Sequence, residues 1–529
     1  MKLNKKYVGI WVPAMLAFLI TLIPTLTHPW PFTVDIFNSV HIAQVYSRYG
    51  LTLTDPLVDP NTGSQIAYPP FFSLVIAALG TLLKIDYLQV ARFLQPVLAF
   101  SVVLSVSYVA KQFYGEVAGI SAGFLIMSSY LFSRLVSPLA ETMALIFVPL
   151  AVYFYYRSVM DRNYKYGVLS SSMFLLVILT HQATTLILFL VITSIALVLG
   201  ILRRKISFFT GYAVFLALPL ITAVLAAILI MFAAPDFVGK ISTQGLTAVT
   251  GYITSLPFNE PISNLKYVVY LGILLLFALV GGILALKKRR NEDVLILVWI
   301  LVVFLTSKAY WFGVNVLSIR LLVHLLIPFS ILGGLGLSYL YEDFKKQEFP
   351  HSRVRSGFLI ATFVVASLFA VTTVEDPNFG VLPRYTNTAD FKTPQIAPPT
   401  ESDADLANWF NRNGDRKSLV ISNNYFTTQF LSATTAQPTG SSKTSQNCIW
   451  SCFNQSELNE VGAGYFVYDK RLICSKNTTQ IISTGLFMFN VGSLIPTNSR
   501  LVYENTDYAV FRLRNDNLTK KSTVDQYDG

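Results

Sequence analysis

Basic and aromatic side chains gather around the ends of two long apolar stretches of the sequence. Lys308, Tyr310 and Trp311 follow one stretch, and Arg320 enters the next, Leu-Leu-Val-His-Leu-Leu. A guanidinium in apolar surroundings needs an anion, and its planar fork of donors suits a phosphate. The alternatives are an interfacial belt for the aromatic residues and snorkelling to the membrane surface for the arginine.

An acidic residue follows the first apolar stretch. If residues 33–46 are helical, Asp35 and Asn38 lie on one face, and His41 and Gln44 continue the stripe at three-residue spacing. An acid just beyond a spanning helix is costly to bury, so an acid found there is a candidate functional residue. The alternative is a solvated helix N-terminus, where an aspartate is favourable in any protein.

Two further polar positions interrupt apolar sequence. Glu141 opens a predicted span, and Arg134 precedes it closely enough to neutralise it. A first-turn carboxylate that serves only the helix dipole is the alternative for Glu141. The pair His181-Gln182 breaks another apolar stretch at a predicted outer turn, where a polar turn residue is the alternative.

The composition predicts a membrane protein, whose spanning helices would position these residues. The chain is 53% hydrophobic and 13% charged, with a mean hydropathy of +0.53, whereas a soluble domain has about 25% charged residues. Stretches of about 20 apolar residues predict spanning helices. We predict eleven spans, near residues 7–27, 88–110, 116–133, 140–157, 165–180, 183–202, 209–233, 266–286, 293–309, 318–341 and 356–374.

The distribution of basic residues predicts the orientation of the spans. Of the 40 Lys and Arg, 18 lie in segments that eleven spans place in the cytoplasm. This pattern indicates membrane topology and argues against a nucleic-acid partner. The apolar segment 70–83 is too short to span and predicts a re-entrant or interfacial helix. The N-terminus is then cytoplasmic, residues 28–87 form a first outer loop, and the C-terminal region lies outside the cytoplasm.

The composition changes after residue 374. Residues 375–400 are rich in Pro, Thr and Asn and predict a linker between a membrane domain (1–374) and a small α/β domain (401–529). In that domain Ser402 is a candidate N-cap, residues 418–422 and 464–469 predict strands, and residues 501–513 predict a hairpin. All three cysteines (Cys448, Cys452, Cys474) and all three sequons (Asn454, Asn477, Asn517) lie there. One disulfide or three free thiols are both compatible with that count.

Taken together, these segments resemble the GT-C superfamily of integral-membrane glycosyltransferases over nearly the whole chain. Val-Asp35-Ile-Phe-Asn-Ser-Val-His41 is similar to its acidic first-loop motif, and Tyr68-Pro-Pro with the short helix that follows is found in many members. Ser-Pro-Leu-Ala-Glu141 resembles the second acidic motif. The segment that starts at Arg320 and continues through Pro328 to Leu332-Gly-Gly-Leu-Gly-Leu resembles a late helix of the family.

The resemblance implies a polyprenyl- or dolichyl-phosphate sugar as donor. It implies that Asp35 takes the proton of the acceptor, with Glu141 as a second catalytic residue that lines the cavity. Arg320, with Lys308, would hold the lipid phosphate. The resemblance also implies a divalent cation such as Mg or Mn, with Asp35, Glu141 and His41 as its ligands. The predicted lining of the cavity is His41, Tyr68, His181 and Tyr310.

The sequence also departs from parts of the family. It lacks the Trp-Trp-Asp-Tyr-Gly peptide motif of the oligosaccharyltransferases, so we expect transfer of one sugar rather than of a whole oligosaccharide. A growing lipid-linked glycan, a cell-envelope polymer and a protein hydroxyl all remain open as acceptors. The alternatives are a transporter or lipid flippase, which often carries an internal repeat that we do not find here, and a non-catalytic anchor for the C-terminal domain.

Overall fold

The computed structural model describes the chain except residues 1–7, 29, 32, 34, 62–63, 67, 234–261, 317, 347–351, 376–400, 471–480, 484–485, 489–495, 497–498 and 514–529. It divides into two compact units. The first unit comprises residues 1–28, 69–71 and 93–382, and the second comprises residues 29–68, 72–92 and 383–529. Most of the predicted first outer loop thus belongs to the same unit as the C-terminal domain.

The described helices follow the apolar stretches of the sequence closely. They are α1 (Val8–Thr27), α2 (Asp35–Tyr49), α3 (Phe71–Leu83), α4 (Tyr87–Tyr114), α5 (Glu116–Ile126), α6 (Phe132–Leu135), α7 (Ala140–Met160), α8 (Tyr164–Thr180), α9 (Gln182–Arg203), α10 (Ser207–Ala233), α11 (Asn264–Leu271), α12 (Ile273–Lys288), α13 (Asn291–Ser307), α14 (Ser318–Lys346), α15 (Ser352–Glu375), α16 (Glu401–Asn413), α17 (Tyr425–Thr435), α18 (Ser442–Trp450) and α19 (Gln455–Val461).

The chain is a multi-pass helical membrane protein. Within the described residues, seven helices of at least 18 residues are apolar enough to cross a membrane, and a bent pair would make an eighth. Each of the eleven predicted spans coincides with a helix or a helix pair. The predicted short helix 70–83 is confirmed as α3.

Two of the predicted spans differ in form from a straight spanning helix. The prediction of one span over 116–133 is wrong in its second half, because α5 ends at Ile126 and turns lead into the short α6. The predicted span 266–286 is bent by 100° between α11 and α12. The bend falls at Gly272, whose φ of 56° and ψ of −140° suit a residue without a Cβ.

The bend at Gly272 leaves helix carbonyls without partners inside the helix, and a neighbouring turn supplies donors. The Ser129 hydroxyl donates to the carbonyl of Tyr270 at 2.6 Å, and the backbone N–H of Tyr130 donates to the same oxygen at 3.1 Å. Irregular backbone at membrane depth is stable only when its polar groups are satisfied within the protein. The turn that ends the predicted span 116–133 therefore stabilises the break in the other span.

Small residues let α12 and α14 approach closely. A Cβ on Gly281 would lie 2.0 Å from the carbonyl oxygen of Leu332, and a Cβ on Gly336 would lie 2.1 Å from that of Phe277. Between membrane helices, such close backbone contact replaces the hydrophobic driving force that lipid does not provide. This packing fixes α14, which carries Arg320 and His324.

The second unit contains the described strands. They are β1 (Thr54–Asp55), β2 (Ser64–Gln65), β3 (Leu419–Ser422), β4 (Ala463–Asp469), β5 (Ile481–Ser483), β6 (Leu486–Met488), β7 (Ser499–Glu504) and β8 (Tyr508–Leu513). A four-stranded sheet has the order β3-β4-β8-β7, in which β3 and β4 are parallel and the other pairs antiparallel. The predicted strands and closing hairpin are confirmed. The predicted N-cap is wrong, because Ser402 lies inside the first turn of α16.

The first loop extends this sheet. Thr439 forms parallel bridges to Val420 on one side and to Val58 on the other. The Thr439 N–H donates to the carbonyl of Leu57 at 2.9 Å, and the Asp59 N–H donates to the carbonyl of Thr439 at 3.0 Å. The loop thereby covers an otherwise open strand edge of the C-terminal domain.

Only some of the thiols and sequons lie within the described residues. Cys448 is buried and Cys452 exposed, and both are free thiols in the described structure. Cys474 and the sequons at Asn477 and Asn517 lie outside it. Asn454 caps α19, with its side chain accepting a hydrogen bond from the Ser456 N–H at 2.9 Å.

Candidate active site

The predicted acid Glu141 forms a buried ion pair in the first unit. The Arg134 Nη2 atom donates to Glu141 Oε2 at 2.8 Å, and the two side chains are 6% and 8% exposed. This confirms the neutralising role expected of Arg134. The short helix α6 carries Arg134, and the first turn of α7 carries Glu141. Among the described residues, the Arg134 Nε and the Ser133 hydroxyl have no hydrogen-bond partner.

Two histidines and a threonine form further polar contacts next to this ion pair. His324 Nδ1 lies 3.9 Å from Glu141 Oε1. His324 Nε2 lies 3.0 Å from Thr184 Oγ1, which also lies 2.8 Å from His181 Nδ1. His181 occupies the break between α8 and α9, where it accepts a hydrogen bond from the Thr184 N–H. A continuous polar chain therefore connects that break with Glu141 inside an apolar helix bundle.

Arg320 adds a second positive charge to this cluster. It lies in the first turn of α14, one turn before His324, and its side chain is exposed. It acts on Glu141 and on His181 electrostatically. The guanidinium groups of Arg134 and Arg320 therefore both act on the one carboxylate of Glu141. We call Arg134, Glu141, His181, His324 and Arg320 the charged cluster.

Lys308 and Tyr310 occupy a separate position in the first unit. The Lys308 ammonium is 1% exposed and donates to the carbonyl of Ile262 at 2.8 Å and to the Tyr310 hydroxyl at 3.1 Å. It also lies 4.2 Å from the centre of the Tyr267 ring, a cation–π distance. These contacts hold the end of α13 against the start of α11. The predicted phosphate-binding role of Lys308 stays a prediction.

Asp35 begins α2 in the second unit and is half-buried. The unpaired N–H groups of a first helical turn stabilise a carboxylate in this position. Tyr425, the first residue of α17, lies within electrostatic range. Burial raises the pKa of Tyr425 to about 12, the charge of Asp35 adds to this effect, and a hydrogen bond from Gln429 opposes it. The Tyr425 hydroxyl is therefore neutral at physiological pH, and it lies within electrostatic range of Asp35.

His41 is buried on the same helix and bonded to an acid that the sequence did not single out. Its Nε2 lies 2.6 Å from Asp55 Oδ2, and Asp55 Oδ1 accepts the Leu57 N–H at 2.9 Å. Its Nδ1 has no partner among the described residues. Tyr68 lies half-buried just before α3. The predicted cavity-lining roles of His41, Tyr68, His181 and Tyr310 stay predictions.

The role of Asp35, Glu141 and His41 as metal ligands stays a prediction. His41 is bonded to Asp55 and Glu141 to Arg134. In the part of the chain that the structure describes, no three His, Cys, Asp or Glu side chains meet as a metal site. We therefore derive no step through a metal ion.

The sequence analysis did not identify three residues that interact with the predicted site residues. Asp55, Thr184 and Tyr425 are polar residues in ordinary surroundings, and only the fold brings them to their partners. His324 had a usable signal, because a histidine one helical turn after Arg320 in an apolar stretch shares its face.

Comparison with known proteins gives matches among solved structures. No family model and no curated relative matches the chain. The oligosaccharyltransferase of Archaeoglobus fulgidus, solved in complex with Zn and sulfate, has a TM-score of 0.64 at 13% identity, covering 88% of this chain and 68% of that one. ArnT from Cupriavidus metallidurans, bound to undecaprenyl phosphate, has a TM-score of 0.63 at 14% identity, covering 94% and 97%.

A third structure agrees with these two. The arabinofuranosyltransferase AftD from Mycobacteria has a TM-score of 0.53 at 13% identity, covering 97% of this chain and 42% of that one. The chain has the GT-C fold. This result confirms the resemblance at the level of the fold, and it confirms the expected fold class. At these identities the likeness establishes the fold alone, and the reaction has to be inferred from the site.

Proposed function

We propose that this GT-C protein is a glycosyltransferase that moves a single sugar from a polyprenyl- or dolichyl-phosphate donor to an acceptor hydroxyl on the outer face of the membrane. The observation that carries the proposal is the charged cluster, in which Arg134 and Arg320 outnumber Glu141 within a membrane-spanning unit. Solved proteins of the same fold hold related lipids. ArnT is bound to undecaprenyl phosphate, and the archaeal oligosaccharyltransferase has been solved with a dolichol-phosphate.

The proposed reaction is a displacement at the anomeric carbon of the donor sugar. Asp35 takes the proton of the acceptor hydroxyl, whose oxygen forms the new bond to that carbon. The bond between the carbon and the phosphate oxygen breaks, and the lipid phosphate leaves with the electron pair. A phosphate leaves without a protonated acid, so one carboxylate base is sufficient.

Positive charge stabilises the leaving phosphate in this proposal. Arg320 is accessible and presents the planar donor fork that matches a phosphate. The buried Arg134 adds to the positive potential, and Glu141 limits it, so that the lipid phosphate can dissociate after transfer. The Lys308 ammonium already donates to the Ile262 carbonyl and the Tyr310 hydroxyl, and it lies over the Tyr267 ring. We therefore assign the principal phosphate contact to Arg320.

A transfer assay with the purified protein in detergent tests the proposal. A panel of lipid-phosphate monosaccharides carrying a labelled sugar is offered to wild type, to Asp35→Asn and to the control Asp86→Asn. Asp86 is exposed and caps α4, with its carboxylate accepting the Leu88 N–H at 2.9 Å, and asparagine preserves this bond. The proposal requires that Asp35→Asn lose transfer by at least about a hundredfold while it still binds the donor, since general-base catalysis contributes roughly 10²–10⁴-fold.

The same labelled lipids test the transporter alternative. Wild type in vesicles is offered the labelled lipid on one side, and its appearance on the other side is followed. Movement of intact lipid, with no sugar transferred to any acceptor, contradicts the glycosyltransferase proposal and favours the flippase. Normal transfer by Asp35→Asn would exclude Asp35 as the base.

A further inference from the structure

A cleft lies at the end of the first unit where α7 stops and α8 and α10 begin. Its volume is about 470 Å³. This end of the helices is distant in sequence from every residue assigned to transfer. The cleft is lined by charged and hydroxyl side chains and by aliphatic ones, among them Arg162, Lys205, Ser207, Thr210, Val159 and Ile206.

The cleft carries uncompensated positive charge. Residues 157–167 contain one acid, Asp161, and residues 203–214 contain none. Asp161 is already bonded to Arg157, whose Nε lies 2.6 Å from Asp161 Oδ2. Within the described residues, Arg162 and Lys205 have no carboxylate within ion-pair distance, and both side chains are exposed.

The surrounding backbone adds to this positive potential. The cleft lies at the first turns of α8 and α10, which are 17 and 27 residues long and have the positive ends of their dipoles there. The first N–H groups of α8 are used locally, since Asn163 accepts the Lys165 N–H at 3.0 Å. Donors for a ligand are therefore the side chains of Arg162, Lys205 and Ser207.

Apolar surface borders the charged side chains. Ile206 is 78% exposed, Tyr164 74% and Val168 55%, although each belongs to or flanks a membrane helix. Such side chains face lipid in a multi-pass protein. A ligand that matches the whole site therefore combines a phosphate with hydrocarbon. A free phosphate ion would use only the charged part.

We propose that this cleft binds the headgroup of an anionic phospholipid, with Arg162 and Lys205 on the phosphate and the acyl chains along Ile206 and Tyr164. Basic pockets between membrane helices recognise such headgroups, and the basic loops here are those that the sequence predicts to face the cytoplasm. The site is independent of the proposed transfer reaction.

Lipid-dependent stability of the delipidated full-length protein tests the site. We expect phosphatidylglycerol to raise the unfolding temperature more than phosphatidylcholine, because a ligand that binds only the folded state stabilises it. Arg162→Gln/Lys205→Gln should weaken phosphatidylglycerol binding by about thirtyfold, the loss expected for two cations at a membrane surface. The charge-matched control Lys165→Gln/Lys287→Gln removes two exposed lysines outside the cleft and should bind as wild type does.

A measurement on wild type avoids any folding defect of the variants. Phosphatidylglycerol should slow the acetylation of Lys205 and leave that of Lys165 unchanged. Equal binding of phosphatidylcholine, equal loss in the control variant, or equal protection of both lysines would overturn the proposal. Protection of Lys205 by millimolar inorganic phosphate to the same extent would also overturn it, because the site would then recognise the free ion.

Discussion

The Gln44 side chain donates a hydrogen bond of 2.6 Å to the carbonyl of Ala433, a residue 389 positions later in the chain. That carbonyl belongs to the last turn of α17, where a helix leaves its carbonyl groups without internal partners. Phe430 of α17 packs on the first loop as well, 5.1 Å from Phe37 and 5.5 Å from Trp30. The first loop therefore supplies a hydrogen-bond donor to a helix end and a pairing partner to a sheet edge of the C-terminal domain.

Replacing this donor should loosen the second unit. Gln44→Glu puts a carboxylate against the Ala433 carbonyl, and we expect a loss of roughly 1–3 kcal/mol, the cost of a buried polar group left without its partner. Hydrogen exchange of the α17 amides should accelerate correspondingly. Gln65→Glu is the control, because Gln65 is exposed on the same loop. Unchanged exchange in Gln44→Glu would show that the hydrogen bond contributes nothing.

The buried ion pair of the charged cluster should be far more sensitive than a surface pair. Arg134→Met leaves the Glu141 carboxylate buried without its partner, at an expected cost of roughly 3–5 kcal/mol. Arg157→Met breaks a half-exposed pair with Asp161 and should cost roughly 0–1 kcal/mol. Thermal unfolding in detergent measures both. The double variant Arg134→Met/Glu141→Gln should recover much of the loss, and equal losses in the two single variants would contradict this account.

Two adjacent glycines of α12 should respond differently to a methyl group. A Cβ on Gly281 meets the Leu332 carbonyl at 2.0 Å, whereas a Cβ on Gly282 meets only the Leu332 side chain at 3.7 Å. Gly281→Ala should therefore lower the unfolding temperature. Gly282→Ala should leave it unchanged or raise it by the equivalent of up to about 1 kcal/mol, the gain in helix propensity. Equal behaviour of the two variants would argue against the close crossing of α12 and α14.

The two described thiols should differ in reactivity. Burial raises the pKa of Cys448 to about 12, so this thiol stays protonated and unreactive at pH 8. In a Cys474→Ser background, a maleimide should label the exposed Cys452 and reach Cys448 only after unfolding. The stabilising contribution of neutral Cys448 is complete below the ordinary thiol pKa and declines as the pH rises toward 12. Labelling of native Cys448 at pH 8 would contradict its burial.

Local sequence patterns were sufficient to predict most of the helices and strands. Apolar length predicted the helices, and short strand-forming runs between turn residues predicted β3, β4, β7 and β8, because both signals are contained in the segment itself. The break at Gly272 was not predicted, since a glycine within an apolar stretch is compatible with a straight span. The early end of α5 at Ile126 was not predicted either.

Contacts between residues that are far apart in the chain could not be predicted from the sequence. Thr184 and His324 are 140 residues apart, and neither position carries a signal that specifies the other. Thr439 joins the sheet through single bridges, which are too short to show any alternation. By contrast, Arg134 and Glu141 are seven residues apart, and the sequence predicted their pairing.

The bridge between Val58 and Thr439 also imposes an order on biosynthesis. Val58 leaves the ribosome long before its partner, and at roughly 5–20 residues per second the intervening chain takes on the order of 20–80 s to make. During that interval the membrane helices are inserted while the first loop has no strand to pair with. The second unit is thus completed last, although one of its elements is synthesised among the first.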